Sequence, residues 1–382
     1  MKTKLRILHI IGGGEFGGAE QHILHLLTSF PHDEVEATVV CFYDSVFARK
    51  LREAHIPVIP MTQYGRFDIR VLRGLRQLMK QFQPDVVHSH GIKANFLTRL
   101  AAYGLHPFVV TTIHSNLRYD YENPLVYTIV SLMEKSTRSF NQHTIVVSDA
   151  LKQILSNDGV APQSISTIYN GIDLTPFRKQ DEREADRLRL LTEWGIPADT
   201  FVMGSVARLV AVKGHTYLLE GFARFLDRVE AKNYRLVLVG DGPERAHLES
   251  YAVKLGIEKF VHFAGFRQDI PQCLHAFDLF VHTSLYEGLG FTILEAMASE
   301  VPVIATIAGG VKEIVFHEKT GIVIEQQNAE STALAMLRMV EQPDLREKLV
   351  REARQLVEST FTIEQMAVKT LTLYRQHTQK KV

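Results

Sequence analysis

Residues 5–20 read Leu5-Arg6-Ile7-Leu8-His9-Ile10-Ile11-Gly12-Gly13-Gly14-Glu15-Phe16-Gly17-Gly18-Ala19-Glu20. A mostly apolar, strand-sized run ends in a glycine-rich loop. The loop opens onto a helical pattern whose apolar stripe is Ile23, Leu26, Leu27 and Phe30. Strand, glycine turn and helix in that order begin a parallel α/β sheet. Backbone N–H groups at such a helix start favour a phosphate, and glycine lets it come close. Gly12, Gly14 and Gly17 also satisfy G-x-G-x-x-G. A dinucleotide reading wants an acid at the end of the second strand, and the nearest candidate, Asp44, lies late.

The same alternation runs outward along the chain. Further strands are expected at 37–42, 58–59, 85–88, 108–113, 144–147 and 166–168. A second series follows at 201–206, 235–239, 261–264, 279–283, 301–305 and 321–324. They read as apolar runs because strands covered by helices are buried on both faces. The series starts twice. Tyr169-Asn170-Gly171-Ile172-Asp173 is turn chemistry, and a charge-dense stretch at 178–189 precedes the fresh strand. The expected fold is α/β, with two doubly wound, Rossmann-like domains facing each other across a cleft. The first domain covers 1–175 and the second 176–361. The last helix, 362–382, starts with a capping box of Thr362 and Gln365 and a staple of Phe361 on Met366. Ile363, Met366, Leu373 and Tyr374 give it one apolar face.

Over 382 residues, 46% hydrophobic and 23% charged content excludes a disordered or collagen-like chain. No apolar run approaches the roughly 18–20 residues of a membrane span. Met1-Lys2-Thr3-Lys4 leads straight into the first strand, so no signal peptide is expected. A net charge of +0 argues against a nucleic-acid partner. Lys and Arg exceed Asp and Glu by four over residues 1–180 and fall short by four over 181–382. Cys41 and Cys273 lie in different halves, so neither a disulfide nor a cysteine metal site follows, and a reducing cytoplasm is the expected location.

Chemistry is expected in loops beyond the carboxyl ends of the strands. His88-Ser89-His90 ends one strand and His114 the next. An H-x-H pair can ligate a metal, but no nearby carboxylate or cysteine cluster completes a site. Arg208 ends the first strand of the second domain, and Lys213-Gly214 precede a helix expected at 216–230. A cation pair at a helix start suits a diphosphate. Glu287-Gly288-Leu289-Gly290-Phe291-Thr292-Ile293-Leu294-Glu295 follows a strand. A helix from Thr292 would put Glu295 in its first turn, with carboxylates flanking the N–H groups of 290–293. Carboxylates accept hydrogen bonds from vicinal hydroxyls.

These segments resemble the retaining family-4 glycosyltransferases. The resemblance rests on Gly17-Gly18-Ala19-Glu20, His88-Ser89-His90-Gly91, Asn170-Gly171-Ile172-Asp173, Ala207-Arg208-Leu209-Val210 with Lys213-Gly214, Gly240-Asp241-Gly242-Pro243, and the E-x7-E block from Glu287 to Glu295 continued by Ala296-Met297-Ala298. They fall in the family's order from residue 5 to about 325. The resemblance implies the GT-B fold, a nucleotide-sugar donor in the second domain, an acceptor in the first, and a last helix crossing back to the first. By position, Glu295 resembles the ribose-binding residue and Glu287 the contact to donor-sugar hydroxyls. Arg208 and Lys213 look like the diphosphate pair, and Gly290, Phe291, Thr292 and Ile293 the loop that meets sugar and phosphate. Gly240, Asp241 and Gly242, with Gly265, Phe266 and Arg267, resemble segments near the base. Gly17 and Gly18 resemble the loop over the diphosphate, and His114 the histidine near the transferred sugar, with Glu20 and His90 on the acceptor side. Ala207, the extra glycines at 12–14 and Thr292 depart from the usual pattern.

The implied reaction moves a hexose-type sugar from a UDP-sugar, with a GDP-sugar second, to a glycan, lipid-linked or small-molecule acceptor with retention. The expected catalytic groups are His114, Arg208, Lys213 and Glu287, with no cofactor and no metal. Three other readings stay open. One is an NAD-dependent enzyme on Gly12, Gly14 and Gly17, and another a metal-dependent hydrolase on His88, His90 and His114. The third is a non-catalytic sugar-nucleotide-binding protein. A helix expected at 65–82 carries Arg66, Arg70, Arg73, Arg76 and Lys80 within an arc of roughly 120°, opposite Leu72, Leu75, Met79 and Phe82. It reads either as an ordinary surface helix or as a basic face that docks on anionic lipid at the inner side of a membrane.

Overall fold

The structure is a computed structural model that describes residues 4–14, 17–65, 68–121, 123–177, 180–230 and 233–379, apart from the side chains of Gln180 and Asp181. The chain divides into two compact units, 1–171 with 363–382, and 172–362.

The first unit is built on seven parallel strands: β1 (Leu5–Ile11), β2 (Val35–Cys41), β3 (Val58–Pro60), β4 (Val86–His90), β5 (Phe108–Ile113), β6 (His143–Val146) and β7 (Ile165–Thr167). Their order across the sheet is β3-β2-β1-β4-β5-β6-β7. The direction of winding reverses between β1 and β4, which makes that pair the switch point. Ile7, Leu8, Ile10 and Ile11 are buried because both faces of β1 are covered. One layer joins Ile7, Ile23, Leu26, Phe30 and Phe108 to Met366, Leu371 and Tyr374. The last three belong to the helix Ile363–Thr378, so the chain's last helix is part of the first unit's core.

The second unit has six parallel strands: β8 (Phe201–Val206), β9 (Tyr234–Val239), β10 (Val261–Gly265), β11 (Leu279–His282), β12 (Val303–Thr306) and β13 (Ile322–Ile324). Their order is β10-β9-β8-β11-β12-β13, with the switch point between β8 and β11. The helix His215–Leu226 buries Leu218, Leu219, Phe222 and Phe225 against this sheet.

Three expectations need correction. β4 continues two residues beyond 88, because Ile11 on one side and Thr112 on the other pair with His90. β12 begins at Val303 rather than 301. The Val301 N–H closes the preceding helix on Ala296 O, and Pro302 has no N–H to give a ladder. The basic helix spans Arg70–Phe82, started by Asp68, whose carboxylate accepts the Arg70 N–H at 2.8 Å. Its buried stripe is Val71, Leu75 and Met79, with Leu72 and Phe82 only partly covered. Arg70 is paired with Asp68 at 2.7 Å. Arg76 donates to Ala101 O at 2.8 Å and Tyr103 O at 2.6 Å, at the end of the helix Ile92–Ala102, so it is not part of a free cationic face. Arg66 lies outside the described residues, as do Glu15 and Phe16.

Candidate active site

In the second unit the loops after β8 and β11 meet. The short 3-10 turn Ala211–Lys213 ends at Gly214, whose φ of +65° starts the helix His215–Leu226. Thr283 Oγ1 donates to Gly214 O at 3.0 Å and Leu285 N–H to Val212 O at 2.8 Å. These bonds fix Lys213 beside Glu287, with Nζ 2.5 Å from Oε1. The same carboxylate oxygen contacts His282 Nε2 at 2.8 Å and accepts from Ser284 Oγ at 2.9 Å. Burial pushes the Glu287 carboxyl up, but the Lys213 ammonium and the His282 hydrogen bond outweigh it and hold it below the usual carboxylate range. Sequence reading missed His282 and Ser284. Both lie within five residues of Glu287, and only the turn after β11 reveals that they face it.

Gly290, at φ +104°, caps a helix spanning Phe291–Ala298. That helix starts one residue earlier than expected, so Glu295 is in its second turn, where it is buried at 7% exposure. The Ile293 N–H is spent on Gly290 O at 3.1 Å. Among the described residues no hydrogen bond uses the N–H of Phe291 or Thr292, and these two are the donors the turn presents. Arg208 lies exposed just past β8. Leu209 N–H donates to Asp241 O at 2.9 Å, and Glu244 N–H to Leu209 O at 3.0 Å, so Gly240–Gly242 is stitched to the Arg208 loop. Phe266, 70% exposed, follows β10. Arg267 is engaged by Asp269 at 2.7 Å and by Glu193, and both raise its pKa. The structure thus gives Arg267 two carboxylate partners within the protein.

In the first unit Gly17 caps the helix Gly18–Thr28, and its N–H donates to Glu20 Oε2 at 3.1 Å. The loops after β1, β4 and β5 line a cavity of about 370 Å³ that includes Gly12, Gly14, Glu20, His90 and His114. Behind it lies a histidine array. His9 Nδ1 is 3.1 Å from His90 Nε2, and His90 Nδ1 is 3.2 Å from His114 Nε2. His22 stands edge-on to His114, with ring centroids 4.9 Å apart. His88 contacts Tyr374 Oη at 2.5 Å and Thr112 Oγ1 at 2.7 Å. Burial, then neighbouring imidazoles, lower the pKa of His9 to about 3 and of His88, His90 and His114 well below normal. His9 and His22 escaped the sequence reading. The β1–β4 register, which sets His9 opposite His88, is the signal that finds His9. Asp44, the acid a dinucleotide site would need, is paired with Arg52 at 2.9 Å.

The family profile described as "Glycosyl transferases group 1" matches residues 186–356, and that of "Glycosyltransferase Family 4" matches 16–176. A lipopolysaccharide core biosynthesis glycosyltransferase, LpsE of Rhizobium meliloti, is 34% identical over 367 residues, covering 92% of this chain and 94% of LpsE. The chain belongs to the group 1/family 4 glycosyltransferases. It is thus a glycosyltransferase of the GT-B fold. An Escherichia coli UDP-Gal:alpha-D-GlcNAc-diphosphoundecaprenol alpha-1,3-galactosyltransferase is 26% identical over 380 residues, 97% of each chain. The crystal structure of Anabaena HepE in complex with UDP superposes with a TM-score of 0.85 at 25% identity, covering 97% of this chain and all of that one. HepE has also been crystallised with UDP-glucose.

Proposed function

We propose that this glycosyltransferase moves a hexose from a UDP-sugar to a glycan or lipid-linked acceptor, with retention and without a metal at the diphosphate. The observation that carries the reading is the Lys213–Glu287 pair at the β8/β11 switch point, with the helix start that presents the N–H groups of Phe291 and Thr292 following in the same loop. An ammonium has three protons. Glu287 takes one, and two remain for phosphate oxygens. As the sugar leaves, negative charge grows on the β-phosphate. Lys213, Arg208 and the helix start stabilise that charge from fixed positions. Glu287 accepts from donor-sugar hydroxyls and Glu295 from the ribose. The acceptor hydroxyl approaches from the leaving-group side, and its proton passes to the departing phosphate oxygen. His114, on the first unit's cavity, is the group beside the transferred sugar.

UDP is favoured over GDP by the UDP and UDP-glucose bound in HepE. A lipid-linked acceptor is supported by the diphosphoundecaprenol named for the Escherichia coli relative. Contact with an anionic membrane would rest on Arg73 and Lys80, which are exposed on the basic helix, at about 1 kcal/mol per cation, since Arg70 is held by Asp68. Among the described residues no helix is long and apolar enough to cross a membrane.

The test is a donor panel read by thermal shift, followed by mass spectrometry of the products with EDTA present. A UDP-hexose should stabilise the protein and be consumed in EDTA. Binding of no nucleotide sugar, or turnover restored only by Mg²⁺ or Mn²⁺, would overturn the reading.

A further inference from the structure

We propose that His22, His90 and His114 form a binding site for one divalent transition-metal ion that prefers nitrogen ligands, such as Zn²⁺ or Ni²⁺. The three side chains come from separate places: the helix Gly18–Thr28, the last residue of β4, and the residue after β5. Each offers a ring nitrogen, and these nitrogens all lie within 4.8 Å of one another. Zn–N bonds of about 2.0–2.1 Å put tetrahedral ligands roughly 3.4 Å apart, and His90 Nδ1 and His114 Nε2 already stand at 3.2 Å.

Two observations separate this trio from an ordinary packed cluster. His22 Nε2 and His114 Nδ1 are buried without a hydrogen-bond partner. Leaving such an atom unsatisfied costs about 1–3 kcal/mol, and ligation would recover it at His22 Nε2, whereas His114 turns its Nε2 toward His90. The second observation is the support behind the ligands. His22 Nδ1 lies 2.8 Å from Asn170 Oδ1. An amide oxygen only accepts, so the ring proton is on Nδ1 and the lone pair is on Nε2. His90 keeps its Nε2 on His9 Nδ1 at 3.1 Å and turns Nδ1 toward His114. Ligating histidines are commonly held by such partners on their other nitrogen. A second trio, His9, His88 and His90, meets the same distance limit, but there Tyr374 and Thr112 occupy both His88 nitrogens.

Access and selectivity follow from the surroundings. His90 and His114 line the cavity of about 370 Å³, together with Glu20 and Asp120 on its wall. An ion can enter there, and water can fill a fourth position. Three imidazoles with no oxygen ligand select for Zn²⁺, Ni²⁺ or Cu²⁺ over Mg²⁺ and Ca²⁺. The site lies within the first unit and shares His114 with the proposed sugar contact, so its test reads metal uptake and not turnover.

The test uses the full, untagged chain, stripped with a chelator and titrated with ZnCl₂ by calorimetry and with CoCl₂ by visible absorption. One equivalent should bind, Co²⁺ should show tetrahedral bands, and excess Mg²⁺ should not compete. His22→Gln and His114→Gln should each abolish uptake. Asn170→Ala keeps all three ligands and should weaken Zn²⁺ binding by about 10-fold or more. This last variant stands if either histidine variant fails to fold. Absence of saturable one-equivalent uptake overturns the proposal. So does uptake unchanged in variants that melt like the parent.

Discussion

Glu287 shows how much one carboxylate can hold. Lys213, His282 and Ser284 converge on a single oxygen, and Lys213 is shared between that oxygen and the proposed phosphate. Glu287→Gln keeps the shape and removes the charge. We expect kcat/KM to fall by about 10²-fold, the usual scale for losing one electrostatic contact to a transition state. Steady-state kinetics with a UDP-hexose would check it, and a near-parental value would detach Glu287 from the chemistry. The stability effect has a sign of its own. A carboxyl lowered by folding contributes stability above its unfolded value near 4.5, and that stability fades as pH falls below it. Urea titrations should therefore show Glu287→Gln weaker than the parent at pH 7, with the gap closing in acid. Arg99 tests the opposite case, a charge pair with no ligand in view. It is 1% exposed and lies 2.9 Å from Glu134. Arg99→Ala leaves Glu134 buried and unpaired, which should cost about 3–5 kcal/mol in a urea melt. A loss under 1 kcal/mol would mean that water reaches the site.

Elements explain what the sequence could and could not reveal. Strands covered on both faces are legible, because their apolar runs have no other use. β1, β5 and β8 match their expected bounds for that reason. The ends were harder, since a strand stops where its neighbours stop pairing. His90 extends β4 only because Ile11 and Thr112 are there to meet it. The helix at Phe291 hid its start in the same way. Gly290 takes a left-handed φ, which moves the helix start one residue earlier and carries Glu295 past the first turn. The histidine array was half legible: His88, His90 and His114 stand at strand ends, whereas His22 reads as one polar residue on a helix. Arg76 looked like part of a cationic stripe, but it caps a neighbouring helix. The turn at Gly214 carries this scale's prediction. Its φ is +65°, and a Cβ there would come within 2.3 Å of Thr283 O. Gly214→Ala should cost about 1–3 kcal/mol in a denaturant melt and push Lys213 away from Glu287. Donor binding should weaken with it. A variant with parental stability would show that the loop after β11 can yield.

The whole molecule distributes its titratable burden unevenly. Six histidines of the first unit, His9, His22, His88, His90, His114 and His143, are held below their ordinary pKa, chiefly by loss of water around the charged form. His9 falls to about 3 and His22 to about 4. His25 and the other imidazoles face them and add to the lowering, while the Asn170 hydrogen bond on His22 works against it. In the second unit the lowered histidines are His215, to about 3, and His262. A histidine kept neutral by folding takes up a proton when the chain opens below pH 6.5. Stability then falls as pH drops from 6.5 toward the folded value, by about 1.4 kcal/mol per pH unit for each such group. The first unit therefore loses stability faster on acidification than the second. The chain has one tryptophan, Trp194, and it lies in the second unit. Trp194 fluorescence follows that unit alone, while far-ultraviolet circular dichroism follows both. Thermal melts of metal-free protein should give nearly coincident midpoints by the two probes at pH 7.5. At pH 5 the dichroism should begin to fall first, with the Trp194 transition coming later. A Trp194 transition that leads at pH 5, or probes that stay together from pH 7.5 down to 5, would show that the buried histidines do not set the acid limit of the fold.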